Sequence, residues 1–233
     1  MRRGGSQGER RTAHRTAARP RRRKRLAAAE REQQIIAGAI RYFAEVGFGG
    51  RTRELADRLG ITQPLLYRYF PTKKALIDRV FSEVFLKRID PAWTSLIGDR
   101  TRPLAERLQE FYRLYSRATY TYEWIRIYMF SALLGNDINR RYIRIVEETI
   151  LKPICVELRH ACGRPAARRE GVSELDLEHV WVMHGGLFYY AVRKYIYRCR
   201  VGGDFAAIVR RAVAAMIAGI RALGPEGEGR TTK

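Results

Sequence analysis

The chain has 233 residues and a formal net charge of +21, with 45 Lys and Arg against 24 Asp and Glu. That length suffices for a real hydrophobic core, and the charge points to a polyanionic partner, nucleic acid or an anionic surface. The three cysteines form no CxxC pair, no apolar leader opens the chain, and no segment approaches the roughly 18 apolar residues of a membrane span, so a cytoplasmic protein with reduced thiols and no membrane contact is expected.

The charge is uneven. Residues 1–25 hold eleven Arg or Lys against the single acid Glu9 and almost no large apolar side chain, so a disordered basic arm is expected there. From Leu26 onward Ile35, Ile36, Ala39, Ile40, Phe43 and Ala44 recur at helical spacing, and Gly47 reads as the stop of a first helix. Thr52 stands where an N-cap belongs, before Leu55, Ala56 and Leu59, and Gly60 ends a second helix. Thr62 caps a third helix with Pro64 in its first turn, where a missing N–H costs little. Pro71 ends it, and Thr72 opens a fourth helix with the stripe Leu76, Ile77, Val80, Phe81 and Val84. Residues 52–71 therefore read as a helix-turn-helix within a head spanning 26–89.

Beyond residue 90 the chain reads as all-α to residue 223. Leu104, Leu108, Phe111 and Tyr115 share one face, and Trp124 to Leu134 is short and apolar nearly all round. Asn139 to Cys162 is long and amphipathic, with Pro153 expected to kink or split it. Asp176 to Tyr197 and Asp204 to Leu223 make two further helices, separated by glycine-bearing turns, and 224–233 reads as a flexible tail. Cys155 and Cys162 are seven apart and could share a helix face, but ordinary buried thiols are expected.

The residue types in 52–73 suit DNA. Thr52, Tyr67, Tyr69 and Lys73 offer hydroxyls and an ammonium to phosphate oxygens, which fix register without reading sequence. Arg53 has the forked donors for guanine O6 and N7, Gln63 the amide for adenine N6 and N7, and Pro64 and Leu65 can meet a thymine methyl. Thr62 completes this set at the start of the third helix.

Residues 30–80 resemble the N-terminal domain of the TetR family of bacterial transcription regulators. The resemblance rests on Phe43-Ala44-Glu45-Val46-Gly47, the threonine-led stretch Thr52 to Leu59, Gly60-Ile61-Thr62, Leu66 to Phe70, and Pro71-Thr72-Lys73. Leu65 departs from the small or hydroxyl residue usual there. The resemblance implies an all-α homodimer, base contacts from Arg53 and Gln63, and a C-terminal domain that binds a small organic effector and moves the heads through the fourth helix. It also implies dimer contacts through the last two helices, where Phe205, Val209, Ala212, Met216 and Ile220 form a stripe.

Aromatic residues cluster in the C-terminal half, and Phe111, Tyr115, Trp124, Tyr128, His184 and Phe188 are the candidate lining of an effector cavity. Core packing is the competing reading of each. No second histidine or acid stands at a metal-ligand spacing with His184, and no cofactor is expected. No GxSxG, HExxH, P-loop or GxGxxG occurs, so an enzyme is not expected. The rival to a ligand-released repressor is a constitutive, ligand-independent DNA-binding protein, and a C-terminal cavity would separate the two.

Overall fold

The computed structural model describes residues 27–133, 137–163 and 171–222. The basic arm expected over 1–25 and the tail expected over 224–233 lie outside them, as do Leu134 and Leu223 and most of the turn before Gly171. Among the described residues the fold is all-α: α1 (Ala28–Val46), α2 (Thr52–Leu59), α3 (Gln63–Tyr69), α4 (Lys73–Val84), α5 (Ala92–Gly98), α6 (Leu104–Thr119), α7 (Tyr122–Leu133), α8 (Asp137–Val146), α9 (Lys152–Ala161), α10 (Glu174–Tyr195) and α11 (Phe205–Ala222).

Local chemistry sets most of the boundaries. Glu30 accepts the Ala27 N–H at 3.2 Å, satisfying a donor ahead of α1. Thr62 accepts from the Leu65 N–H at 3.3 Å and Thr72 from the Ala75 N–H at 3.0 Å, so both predicted caps form. Gly60 adopts the left-handed conformation, φ 63°, and returns its N–H to the end of α2. Thr52 departs from expectation. It is the first helical residue of α2 and Arg51 is the N-cap, without a side-chain bond. Its hydroxyl instead turns towards α3, where it finds side-chain partners.

The head is α1 packed on α2, α4 and α7. Ile35, Ile36, Ala39, Tyr42 and Phe43 on α1 meet Leu55, Ala56, Leu66, Leu76, Val80 and Phe81 in one buried cluster. Leu59 and Ile61, expected in this core, pack against it half-buried. The end of α1 is held by the body. Arg126 on α7 donates from Nε to the Ala44 carbonyl and from Nη2 to the Glu45 carbonyl at 3.2 Å, filling acceptors that a helix C-terminus leaves open. Gly47, φ 76°, passes so close to Phe130 that a Cβ would lie 3.0 Å from the ring.

The helix predicted over Asn139 to Cys162 runs on without an intervening loop but is divided. A π-turn at Glu147–Leu151 joins α8 to α9, with Pro153 in the first turn of α9. Proline cannot donate to the carbonyl four residues back, Thr149. That carbonyl accepts from the Thr94 hydroxyl of α5 at 2.9 Å, so the break is satisfied by a neighbour. Beside it, the buried Glu157 receives Arg107 at 2.9 Å and Arg100 at 2.9 Å, tying α9 to α6 and to the α5–α6 turn.

The α7 helix is less buried than its composition suggests. Trp124, Ile125, Ile127 and Ser131 are inside, whereas Leu133 is 82% exposed. The α10 helix starts two residues early because Ser173 caps it through the Asp176 N–H. The short α5 falls in a stretch with no distinct periodic signal, and Asp90 supports its start by accepting the Ala92 N–H at 2.9 Å. No described helix is long and apolar enough to cross a membrane.

Candidate nucleic-acid interface and aromatic cavity

The α2–turn–α3 unit carries all of the predicted DNA-facing residues except Lys73, which opens α4. Arg53, Thr62 and Pro64 are exposed, while Gln63, Leu65, Tyr67, Tyr69 and Lys73 are half-buried. Leu66 and Phe70 face inward and seat α3 on the head. Thr52 is nearly covered, 9% exposed, and sits at the crossing of the two helices. Its Oγ1 accepts from Gln63 Nε2 at 3.2 Å and shares a 2.9 Å hydrogen bond with the Tyr67 hydroxyl. Three residues expected to act separately on DNA are thus bonded to one another. Spacing alone could not reveal this, because the three stand 4 to 15 positions apart on different helices.

A second site lies in the body. Tyr115, Trp124, Tyr128, Tyr142, Val146, Trp181, His184 and Phe188 surround a cavity of about 60 Å³. Five of the six predicted lining residues are present. Phe111 is not among them: it is fully buried one layer behind, edge-on to Trp93 and Tyr112. Tyr142, which follows Arg140 and Arg141, is not among the predicted lining residues. Its hydroxyl bonds that of Tyr115 at 2.9 Å. The signal that could have found it is the i+4 series Tyr142, Val146, Ile150 on α8 and the following π-turn.

No Asp, Glu, Lys or Arg lines this cavity. His184 lies between two phenols, with Tyr112 Oη 3.4 Å from Nδ1 and Tyr115 Oη 3.5 Å from Nε2. Burial disfavours its charged form and lowers its pKa to about 4, so the ring is neutral at pH 7. Burial likewise pushes the Tyr112, Tyr115 and Tyr142 phenols above their ordinary value. Trp124 stacks on Tyr128 at 5.0 Å, and its indole N–H has no partner among the described residues. Behind two of the lining rings stands the residue that follows α4: Phe85 packs 5.2 Å from Trp124 and 5.4 Å from Tyr142.

The stripe predicted on α11 divides. Val209 turns inward with Val213 and Ile217. Ala212, Met216 and Ile220 line an open apolar groove of about 580 Å³ with Val182, Met183 and Leu187 of α10. Leu175 and Val182, about two turns apart on α10, are 62% and 75% exposed. A mixed-charge groove of about 590 Å³ between α6 and the start of α11 contains none of the predicted effector residues. Cys155 is buried against the Asp176 carbonyl with its pKa pushed up to about 12, whereas Cys162 is half-buried and Cys199 exposed. No group of three His, Cys, Asp or Glu able to hold a metal occurs among the described residues.

Residues 35–80 match the pattern of the bacterial regulatory proteins, tetR family. The tetracycline repressor protein class A from transposon 1721 of Escherichia coli is 34% identical over 82 residues, covering 32% of this chain and 38% of that protein. The class C repressor of Escherichia coli is 45% identical over 47 residues, 20% of this chain and 22% of that protein. The alignments thus span well under half of these relatives. Among solved structures, the fatty acid degradation regulator FadR from Bacillus halodurans superimposes with a TM-score of 0.56 at 17% identity, over 85% of this chain and 99% of that one. A tetR-family regulator from Streptomyces coelicolor gives 0.54 at 17% identity, over 87% and 86%. At such identities the likeness is one of fold. Residues 35–80 are thus a helix-turn-helix domain of the bacterial tetR type, joined to a helical body that is matched in fold alone.

Proposed function

We propose that this regulator binds a palindromic DNA operator as a homodimer and releases it when a small organic effector enters the aromatic cavity. The observation that carries the DNA-binding part is the helix-turn-helix itself, capped at Thr62, closed at Gly60, and presenting Arg53, Gln63, Pro64, Leu65, Tyr69 and Lys73 from one small unit. Arg53 and Gln63 carry the base-reading chemistry; Tyr69 and Lys73 suit phosphate. The apolar groove of α10 and α11 supports dimerisation, because exposed apolar patches of this kind mark interfaces. The regulator is proposed to act in the cytoplasm.

Effector control rests on α4. Its first residue is the proposed phosphate contact Lys73, and the residue after its end, Phe85, touches the cavity rings. A change in the cavity therefore has a rigid path to the head. A coupling of about 1–3 kcal/mol would be typical of such a device. The cavity's small size favours the second reading, a ligand-independent regulator, since about 60 Å³ holds a few waters and an organic molecule needs the rings to part.

Selection from random duplexes tests the first part. The expected result is an inverted repeat with half-sites about 34–36 Å apart, or a multiple of that. No enrichment overturns the DNA-reading assignment. Titration with a panel of uncharged aromatic compounds tests the second, read by Trp124 and Trp181 fluorescence alongside operator release. Release with quenching supports effector control; operator binding unmoved by every compound, with the cavity still closed, supports the ligand-independent reading.

A further inference from the structure

We infer that Thr52 and Tyr67 are positioning residues that set which base Gln63 reads. The inference rests on the proposed DNA-binding role of the head. It starts from the bonds at the crossing of α2 and α3: Gln63 Nε2 to Thr52 Oγ1 at 3.2 Å, and Thr52 Oγ1 to Tyr67 Oη at 2.9 Å.

A glutamine side chain has two ends that its shape hardly distinguishes. The carbonyl oxygen only accepts, and the amide nitrogen only donates, through two hydrogens. A glutamine free to turn about its last bond can offer either end to a base. Adenine asks for one orientation, accepting from its N6 and donating to its N7. Guanine presents two acceptors, O6 and N7, and is served by the nitrogen end alone. Fixing the nitrogen end therefore fixes the choice.

At the crossing the nitrogen end is the one held, with Thr52 Oγ1 as acceptor and its own proton left for Tyr67. One Nε2 hydrogen is spent on Thr52. The second hydrogen and the free Oε1 remain, and together they make the donor–acceptor edge that adenine complements. Thr52 is itself held, nearly buried and bonded on its far side by a phenol that emerges from α3 one turn after Gln63. Three side chains from two helices are thus linked in a row through the Thr52 hydroxyl. A threonine at the start of α2 would be equally placed to touch a phosphate, and a tyrosine on α3 likewise. The two roles make different predictions. A phosphate contact weakens all duplexes alike, whereas a positioning residue changes the preference at one base pair.

The experiment uses the full chain and its selected operator at one fixed salt concentration. Affinities are measured for the operator and for duplexes changed singly at each half-site position, with the parent, Gln63→Ala, Thr52→Val, Thr52→Ser and Tyr67→Phe. A bidentate amide–adenine pair discriminates by roughly 5- to 150-fold. Gln63→Ala is expected to erase that factor at one position. Thr52→Val is expected to reduce it to within a few-fold of the Gln63→Ala value at the same position and at no other. Thr52→Ser, which keeps the hydroxyl, restores it, and Tyr67→Phe falls between. Thermal unfolding of each variant reports whether the head remains folded, and Tyr67→Phe, which removes the bond on the other side of Thr52, carries the comparison if Thr52→Val does not fold. The inference is overturned if Thr52→Val weakens every duplex equally, or if it leaves the Gln63 position as selective as in the parent. A parent with no preferred duplex, or a Gln63→Ala variant that relaxes no position, overturns the base-reading assignment and the positioning role with it.

Discussion

Lowering the pH should destabilise the body through His184. The folded chain holds this histidine's pKa at about 4, against 6.5 for the free side chain, because burial penalises the imidazolium. Between those values the unfolded chain takes a proton that the folded chain refuses. Stability is therefore unaffected above about pH 6.5, falls as the pH drops towards 4, and loses no more from this residue below that. A shift of this size corresponds to roughly 3 kcal/mol, an order-of-magnitude figure at about 1.4 kcal/mol per unit. For a chain of this length that lowers the melting temperature by about 6–12 °C. The neighbouring Tyr112 and Tyr115 hydroxyls, 3.4 and 3.5 Å away, provide no charge to rescue the imidazolium. Carboxylates with lowered pKa also lose stability in acid, Glu110 through its hydrogen bond with Arg113 among them, so the parent alone is not diagnostic. The assay is thermal unfolding from pH 7.5 to 4 for the parent, His184→Gln and His184→Phe. Both variants should show a shallower decline between pH 6.5 and 4 than the parent. Three parallel declines would refute the argument, because His184 would then titrate alike in both states.

Arg53→Ala should cost about 1–3 kcal/mol on the selected operator and little on random duplex, whereas Tyr69→Phe and Lys73→Ala should weaken both alike; competition binding against each DNA checks the split. Removal of residues 1–25 should flatten the plot of log K against log salt by several units, at about 0.9 per phosphate neutralised, with the melting temperature unchanged. An unchanged slope would leave the arm without a DNA role. Met216→Glu or Val182→Asp, placed in the α10–α11 groove, should give monomers by sedimentation while helicity is retained. A dimer that survives both changes would place the interface elsewhere.

The features legible in the sequence were those whose cause is local. A threonine three residues ahead of a free N–H, a glycine where the chain must turn left-handed, and a proline that cannot donate each act within one turn of helix. Thr62, Thr72, Gly60 and Pro153 behave accordingly. Thr52 misled because capping and interhelical bonding use the same hydroxyl, and only the approach of α3 decides between them. Tyr142 was hidden because Arg140, Arg141 and Arg144 crowd it in sequence, although all three fall on the other side of the helix. The α11 stripe was readable as apolar, but hydrophobic spacing does not say which part faces the chain's own α6 and which remains open. Phe111 shows the limit for cavities, as a ring that lines one and a ring just behind it carry the same periodicity.

The hold of Arg126 on the end of α1 bears on what can be cut from this chain. Every residue by which the head is recognised lies before residue 90, so a short DNA-binding fragment looks easy to define. Yet the carbonyls of Ala44 and Glu45 are satisfied by a guanidinium on α7, and the ring of Phe130 covers Gly47. A fragment ending at residue 89 keeps the reading surface but exposes those carbonyls and leaves one side of α1 bare. The length of chain that looks like a portable module is thus shorter than the length that folds as one, and a working truncation has to run through α7.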